Sequence, residues 1–344
     1  MPNKKKVRIL SIDGGGIRGI LPGVIMARLE QKLQQKTNNK DLRLADMFDF
    51  VAGTSTGGIL GLTYIFPDAT GKKSKFTAQD AVNLYLDRGD EIFDITLGQK
   101  IKSLKGIIDE KYSADEIEEA LMDNFGDTML NALLKPCLIT AYDIRNRNAF
   151  FFRQHKANKD VNNFKVRDVA RATSAAPTYF EVARVKNVLG SPFPLVDGGL
   201  FANNPTLCAY SEVRSMNIQG IKFPSAKNMF IVSLGTGSIE KSYPYKAAKD
   251  WGQVQWIKPV IDIMMSGNSE TVHYHLRQIF DTLSKQDKAD YYRLEPGLEN
   301  ANDEMDDASP KNLRALEKAA ISFVSDSDVN KKLDEIVSKL LKYE

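Results

Sequence analysis

The string Gly53-Thr54-Ser55-Thr56-Gly57-Gly58 sets a serine among glycines, directly after the apolar run Phe48–Ala52 and before an apolar stretch that reads as helix through Leu62. A Gly-x-Ser-x-Gly turn between strand and helix lifts the serine hydroxyl above the sheet edge, where it can act as a nucleophile. The glycines leave room for a backbone turn that a Cβ would obstruct. The N–H groups opening the next helix favour negative charge developing at the hydroxyl. A plain glycine-rich turn is the alternative, and the strand–turn–helix setting favours chemistry. Ser55 is therefore the candidate nucleophile.

A second glycine-rich turn, Asp13-Gly14-Gly15-Gly16-Ile17-Arg18-Gly19, follows the apolar run Val7–Ile12. Successive glycines after a strand expose N–H groups in a concave loop that can hold a phosphate or an oxyanion. Gly14, Gly15 and Gly16 are the candidate donors, and Arg18 can add positive charge. The same string contains Gly14-x-Gly16-x-x-Gly19, the dinucleotide-binding spacing. That alternative needs an acid at the end of the second strand, whereas the available Asp41 precedes it. It also leaves Ser55 unexplained, while an oxyanion hole explains both strings.

Asp197-Gly198-Gly199 follows the extended run Phe193–Val196. Asp-Gly is a common turn pair, and Asp197 gains chemical meaning as a partner for Ser55. Asn203-Asn204-Pro205 then opens a helix, with Asn204 as its cap and Pro205 at its first position. The chain holds only three histidines, His155, His273 and His275. A triad of Ser55, Asp197 and His273 or His275 has the chain order of an α/β-hydrolase. Both histidines, however, fall in a long helical stretch, where that fold uses a loop. His155 falls in a polar loop and reads as solvated surface. A Ser55–Asp197 dyad fits better. An aspartate of pKa about 3.9 is a weak base, so low exposure and tight positioning must compensate.

The elements that must hold these groups begin strand–turn–helix–strand–turn–helix, the pattern of a parallel α/β sheet. Further strands are expected at Cys137–Tyr142, Ala149–Phe152 and Met229–Leu234. Helices are expected near Ile20–Leu33, Thr77–Arg88, Ser113–Phe125, Val166–Ala175, Pro205–Met216, Val254–Leu283 and Pro310–Phe323. Pro67–Lys75, Ser238–Asp250 and Glu299–Asp307 read as loops, the first two as lids. Ser233-Leu234-Gly235-Thr236-Gly237 ends a strand and reads as a structural turn more than a substrate contact. With no repeat or linker, residues 1–344 read as one domain with its core at about 7–323.

Composition bounds the rest. A 344-residue chain with 42% hydrophobic residues can bury a core without disulfides or metals. A net charge of +3, with no basic stripe, argues against a nucleic-acid partner. Cys137 and Cys208 read as small buried hydrophobes, which suits a reducing compartment. Val7–Ile12 is too short for a signal-peptide core, and no stretch approaches the roughly 18 apolar residues of a spanning helix. The expectation is an unexported, cytoplasmic protein with reversible, peripheral membrane contact. Ile95–Lys111 alternates Lys100, Lys102 and Lys105 with apolar residues. It suits an anionic membrane or, more commonly, a solvated helix packed on the core.

Taken together and in this order, Asp13–Gly19, Gly53–Gly58 and Asp197–Gly199 resemble the patatin-like phospholipase family. The strings Ala170–Phe180, Ser233–Gly237 and Met305–Ser309 support the resemblance, which runs from about Val7 to about Phe323. It implies a three-layer α/β/α sandwich related to cytosolic phospholipase A2 catalytic domains. It implies cleavage of acyl lipids, membrane phospholipids among them, through an acyl-serine. Ser55 would be the nucleophile, Asp197 its base, and the Gly14–Gly16 loop with Arg18 the oxyanion hole; no metal or cofactor is implied. Secreted plant storage members carry a signal peptide, so vacuolar storage is not expected. Compact bacterial members include membrane-degrading effectors gated by cyclic nucleotides in antiphage defence. This chain is similar to them in size, which leaves open a cyclic dinucleotide activator and a homo-oligomer.

Overall fold

The structure, a computed structural model, describes residues 5–93, 115–238 and 242–343. Among the described residues there are ten strands: β1 Val7–Ile12, β2 Phe50–Thr54, β3 Cys137–Asp143, β4 Asn148–Arg153, β5 Ala183–Lys186, β6 Pro192–Asp197, β7 Asn217–Ile218, β8 Ile221–Lys222, β9 Met229–Leu234 and β10 Tyr291–Leu294. The main sheet runs β10-β9-β1-β2-β3-β6-β5, β4 also pairs with β3, and β7 and β8 form a separate hairpin.

β1 is buried along its whole length, as a strand must be when helices cover both faces of its sheet. Its side chains alternate between two cores. Leu10 and Ile12 join the larger one, with the helices Ile20–Thr37 and Pro310–Ser325. Val7 and Ile9 join the smaller one, with Thr206–Val213 and the end of the long helix Gln253–Asp281. This is the three-layer α/β/α sandwich the sequence implies.

The sheet is not wholly parallel. β10, β9, β1, β2 and β3 are parallel neighbours, but β4 and β6 run antiparallel to β3, and β5 antiparallel to β6. The strand–helix rhythm that predicts parallel pairing ends after β3, where hairpin-like connections take over. β4 occupies one edge of β3 along Leu138–Asp143. The other edge is shared, by β2 along Cys137–Thr140 and by β6 along Ala141–Asp143. β2 and β6 therefore meet end to end, Thr54 opposite Thr140 and Asp197 opposite Ala141. That junction brings together residues far apart in the chain.

Several boundaries differ from expectation. β2 starts at Phe50 rather than Phe48. The helix after Asn204 begins at Thr206, with the Asn204 side chain accepting the Thr206 N–H at 3.0 Å. A last helix, Ser327–Lys342, buries Leu333, Ile336 and Leu340 in the larger core, which thus extends beyond Phe323. Cys137 is buried, but Cys208 is only half-buried. Burial pushes their thiols up to about 12 and about 11. No described helix is long and apolar enough to cross a membrane. Lys100, Lys102 and Lys105 lie outside the described residues.

Candidate active site

Ser55 sits at φ 53°, ψ −125°, a conformation outside the ordinary regions for a residue with a side chain. Close packing holds it there. A Cβ on Gly57 would lie 2.2 Å from the Ile12 carbonyl oxygen, and one on Gly53 would lie 2.3 Å from that of Gly57. The elbow helix Thr56–Tyr64 can thus press directly on the end of β1. The Ser55 N–H donates to Thr173 Oγ1 at 2.9 Å, and Thr173 Oγ1 donates to the Thr140 carbonyl at 2.6 Å. The amide of the serine is therefore occupied in bracing its own turn. The sequence reading placed Thr173 in a helix and missed this contact; its only signal was the string Ala170–Phe180.

Asp197 ends β6, almost wholly buried, and its Oδ1 accepts the Gly199 N–H at 2.6 Å. Burial pushes its carboxyl up to about 6, against stabilisation of the charged form by the Ser55 hydroxyl and the Gly199 amide. It is thus ionised at neutral pH yet more basic than an ordinary aspartate. Ser55 and Asp197 line one cleft of about 50 Å³, with Gly15 and Gly16. Phe180, Leu200, Ile261, Met265 and Met305 give it an apolar wall.

Each backbone N–H of the glycine loop can be accounted for. Asp13 N–H donates to the Leu234 carbonyl at 3.0 Å, Gly14 N–H to that of Asn203 at 3.1 Å, and Ile17 N–H to that of Met305 at 2.9 Å. Gly15 and Gly16 N–H have no partner among the described residues. Gly14 is therefore removed as an oxyanion donor, because its amide anchors the loop. Arg18 departs from the expectation as well. It lines a second cavity behind the loop, not the cleft, and its Nε donates to the Gly15 carbonyl at 3.3 Å. Burial lowers its pKa, while Glu295, Asp262 and Asp303 support its charge.

The second cavity, of about 680 Å³, is lined by charged residues including Asp13, Arg277, Arg293 and Glu295. Arg293 grips Asp13 at the start of the glycine loop through two bonds of 2.9 and 2.7 Å. Burial pushes the Asp13 carboxyl up, and Arg293 favours its charged form.

None of the histidines lines the cleft. His273 lines the second cavity, its Nδ1 2.9 Å from the Tyr291 hydroxyl. His275, on the same helix, is exposed. His155 is not free solvated surface, since it is half-buried and its Nε2 lies 2.9 Å from Glu212 Oε1.

The dinucleotide spacing has another cause. A Cβ on Gly16 would lie 2.1 Å from the Met305 carbonyl, and one on Gly19 would lie 2.1 Å from Thr56 Oγ1. The glycines make room for this chain's own groups. Asp41 lies in a separate surface hollow with Arg43 and Asp68. Pro67–Lys75, expected as a lid, borders that same hollow, while Ser238 and Tyr243 border the second cavity. The cleft is walled instead by the long helix and by Met305 and Asp306, from the one loop not read as a lid.

The sequence profile of the family described as Patatin-like phospholipase matches residues 10–210, taking in the glycine loop, the elbow and Asp197. The chain belongs to the patatin-like phospholipase family. Membership places it among lipid acyl hydrolases. Patatin-like protein 1 of Arabidopsis thaliana is 34% identical over 95% of this chain and 84% of its own length. Patatin group J-1 of Solanum tuberosum is 32% identical over 91% of this chain and 82% of its own. A third relative, also 32% identical over 90% of this chain and 84% of its own, is described as Probable inactive patatin-3-Kuras 1, again of Solanum tuberosum. Overall likeness at this level therefore does not by itself guarantee turnover, and the particular groups in the cleft must carry the argument. Among solved structures, VipD from Legionella pneumophila aligns over 94% of this chain and 67% of its own at 12% identity, with a TM-score of 0.37.

Proposed function

We propose that this chain hydrolyses carboxylic-ester bonds of acyl lipids with Ser55 as nucleophile, Asp197 as its general base, and the Gly15 and Gly16 amides as the oxyanion hole. One observation carries the reading: Ser55 and Asp197 share a small apolar cleft with two consecutive amides that have no partner among the described residues. In the first half-reaction Ser55 Oγ attacks the acyl carbonyl carbon, and its proton passes to Asp197. The carbonyl oxygen becomes an oxyanion between the two amides. The tetrahedral species collapses, the C–O bond to the alcohol breaks, and the alcohol leaves with the proton from Asp197. In the second half, water attacks the acyl-serine, Asp197 takes its proton and returns it to Ser55 Oγ, and the fatty acid leaves.

A buried carboxyl with a pKa of about 6 suits the base, because its proton affinity lies nearer the working pH. The cleft suits the ester group and the first carbons of an acyl chain, with the apolar lining including Ile261 and Met265 contacting it. The same turns of the long helix expose Trp256, Val260, Ile263 and Met264. This exposed apolar row is a candidate for reversible contact with a lipid surface.

The deciding experiment is mass spectrometry of total membrane lipid incubated with the protein and with Ser55→Ala. Release of free fatty acid by the first and not the second supports the reading, whereas equal release by both excludes Ser55 as nucleophile. Repeating the assay with cyclic dinucleotides added separates a constitutive enzyme from a gated one.

A further inference from the structure

We propose that Thr236 is a positioning residue of the oxyanion hole: by holding the Gly14 carbonyl it aims the Gly15 amide at the oxygen of the acyl intermediate. Arg18 does the same for Gly16 through the Gly15 carbonyl. The inference rests on the reading of Ser55 as nucleophile.

The argument starts from peptide geometry. In a planar trans unit, the C=O of one residue and the N–H of the next point in opposite directions. Fixing a carbonyl from one side therefore fixes the following amide toward the other. Thr236 Oγ1 donates to the Gly14 carbonyl at 2.6 Å, which sets the Gly15 N–H. Arg18 Nε and the Arg18 backbone N–H donate to the Gly15 carbonyl at 3.3 and 3.2 Å, which sets the Gly16 N–H. Thr236 and Arg18 both line the cavity behind the loop, and Gly15 and Gly16 line the cleft in front of it. The two carbonyls that are held belong to the same peptide units as the two amides that lack partners.

The loop that carries Thr236 is itself fixed. Gly235 N–H donates to the Leu294 carbonyl at 2.9 Å and Gly237 N–H to Glu295 Oε1 at 3.0 Å, one on each side of Thr236. Thr236 is 5% exposed, and its one hydroxyl hydrogen is engaged with Gly14, so it is not offered to substrate. A Cβ on Gly15 would lie 2.3 Å from Thr236 Oγ1, so the two loops interlock with no spare room. The turn Ser233–Gly237 thus gains a catalytic purpose without touching the reacting atoms.

The test uses the full chain and a p-nitrophenyl acyl ester. Labelling of Ser55 by a fluorophosphonate in the wild-type protein comes first. Its absence would overturn the Ser55 reading, and this inference with it, before Thr236 is touched. Thr236→Val keeps the shape and removes the hydroxyl. The expected result is a kcat lowered roughly 10- to 100-fold with KM held within about twofold. A trifluoromethyl ketone, which adds Ser55 to form a hemiketal oxyanion, should lose affinity by the same factor as kcat. An unreactive ether analogue of the substrate should not. Thr236→Ser should restore most of kcat. If Thr236→Val does not fold, the kcat ratio of Thr236→Ser to Thr236→Ala reads the hydroxyl instead. An unchanged kcat in Thr236→Val, a raised KM at constant kcat, or a Thr236→Ser variant as slow as the one lacking the hydroxyl would each overturn the proposal.

Discussion

The two faces of the glycine loop are built from opposite materials. In front lies a cleft of about 50 Å³ with an apolar wall, two amides without partners among the described residues, and the Ser55–Asp197 pair. Behind lies a cavity of about 680 Å³ lined by Asp13, Arg18, Arg277, Arg293 and Glu295. The full charges that could stabilise an oxyanion are thus kept out of contact with it. A cation in the cleft would bring its own hydration and would attract Asp197. Oriented amide dipoles need no solvent reorganisation as the oxyanion forms, and they act more strongly where water is scarce. The charges behind hold the loop that carries those dipoles. If this division holds, changes in front should act on kcat, and changes behind that spare the loop contacts should not.

The largest expected effect lies at the centre of the front face. Ser55→Ala should lower ester hydrolysis by on the order of 10⁴-fold or more, with an unchanged fold, since the removed oxygen faces the cleft. Circular dichroism with the p-nitrophenyl ester assay checks both halves. Turnover near wild type would break the comparison at once.

Asp197→Asn should cost on the order of 10³- to 10⁴-fold, because an amide cannot accept the Ser55 proton. In the wild type, kcat/KM should rise with pH through about 6 and then level, as Asp197 ionises. Stability should move the other way. A carboxyl held above its ordinary value by burial contributes stability that is fully present below about pH 4 and is lost as pH rises through about 6. Asp197→Asn removes that loss. The melting temperature of the variant relative to wild type should therefore climb between about pH 4 and pH 6 and then level. A constant difference would mean that Asp197 is not the buried, charged group described here.

A smaller effect is expected on the exposed apolar row of the long helix. Val260→Asp with Met264→Asp puts charge into that row without touching the lining of either cavity. Hydrolysis of phospholipid vesicles should fall roughly tenfold, while the soluble ester should be cleaved as before. Equal loss on both substrates would mean that these residues support the long helix rather than a lipid contact.

How much of this arrangement the sequence disclosed depended on whether the signal was local. The elbow at Ser55, the loop at Gly14–Gly19 and the turn at Asp197 are each written in consecutive residues, because strand–turn–helix geometry leaves a local pattern of glycine and apolar spacing. Their meeting is not local. It depends on β2 and β6 sharing one edge of β3, and β6 pairs antiparallel after the parallel rhythm has ended. β5 escaped because its alternation runs over only four residues, and β10 because its four residues are mostly half-buried and do not alternate. Gly14 and Arg18 were assigned to the oxyanion hole because composition shows that donors exist, not which are already engaged. Only the partners from Asn203, Thr236 and Met305, brought in by distant segments, decide that.

The smallest effect is expected behind the loop, at His273, where the comparison meets its hardest test. His273 is one of the two histidines, with His275, that an α/β-hydrolase triad would recruit by chain order, and it lines the cavity that also holds Asp13 and Arg18 of the glycine loop. Its Nδ1, however, lies 2.9 Å from the Tyr291 hydroxyl, and it does not line the cleft that holds Ser55. Burial lowers its pKa, and Arg293 and Arg277 lower it further against Glu295, which raises it. A depressed histidine contributes stability that is present above its ordinary value and is lost as pH falls through its lowered one. His273→Ala should therefore keep ester turnover within about threefold of wild type, at the cost of one hydrogen bond worth about 1 kcal/mol. It should also lessen the fall in melting temperature on acidification below about pH 6.5. The limb of the kcat/KM profile near pH 6 should not move, because that limb belongs to Asp197. A well-folded but inactive His273→Ala protein, or one whose kcat/KM limb shifted, would put the proton acceptor behind the loop and erase the division between its two faces.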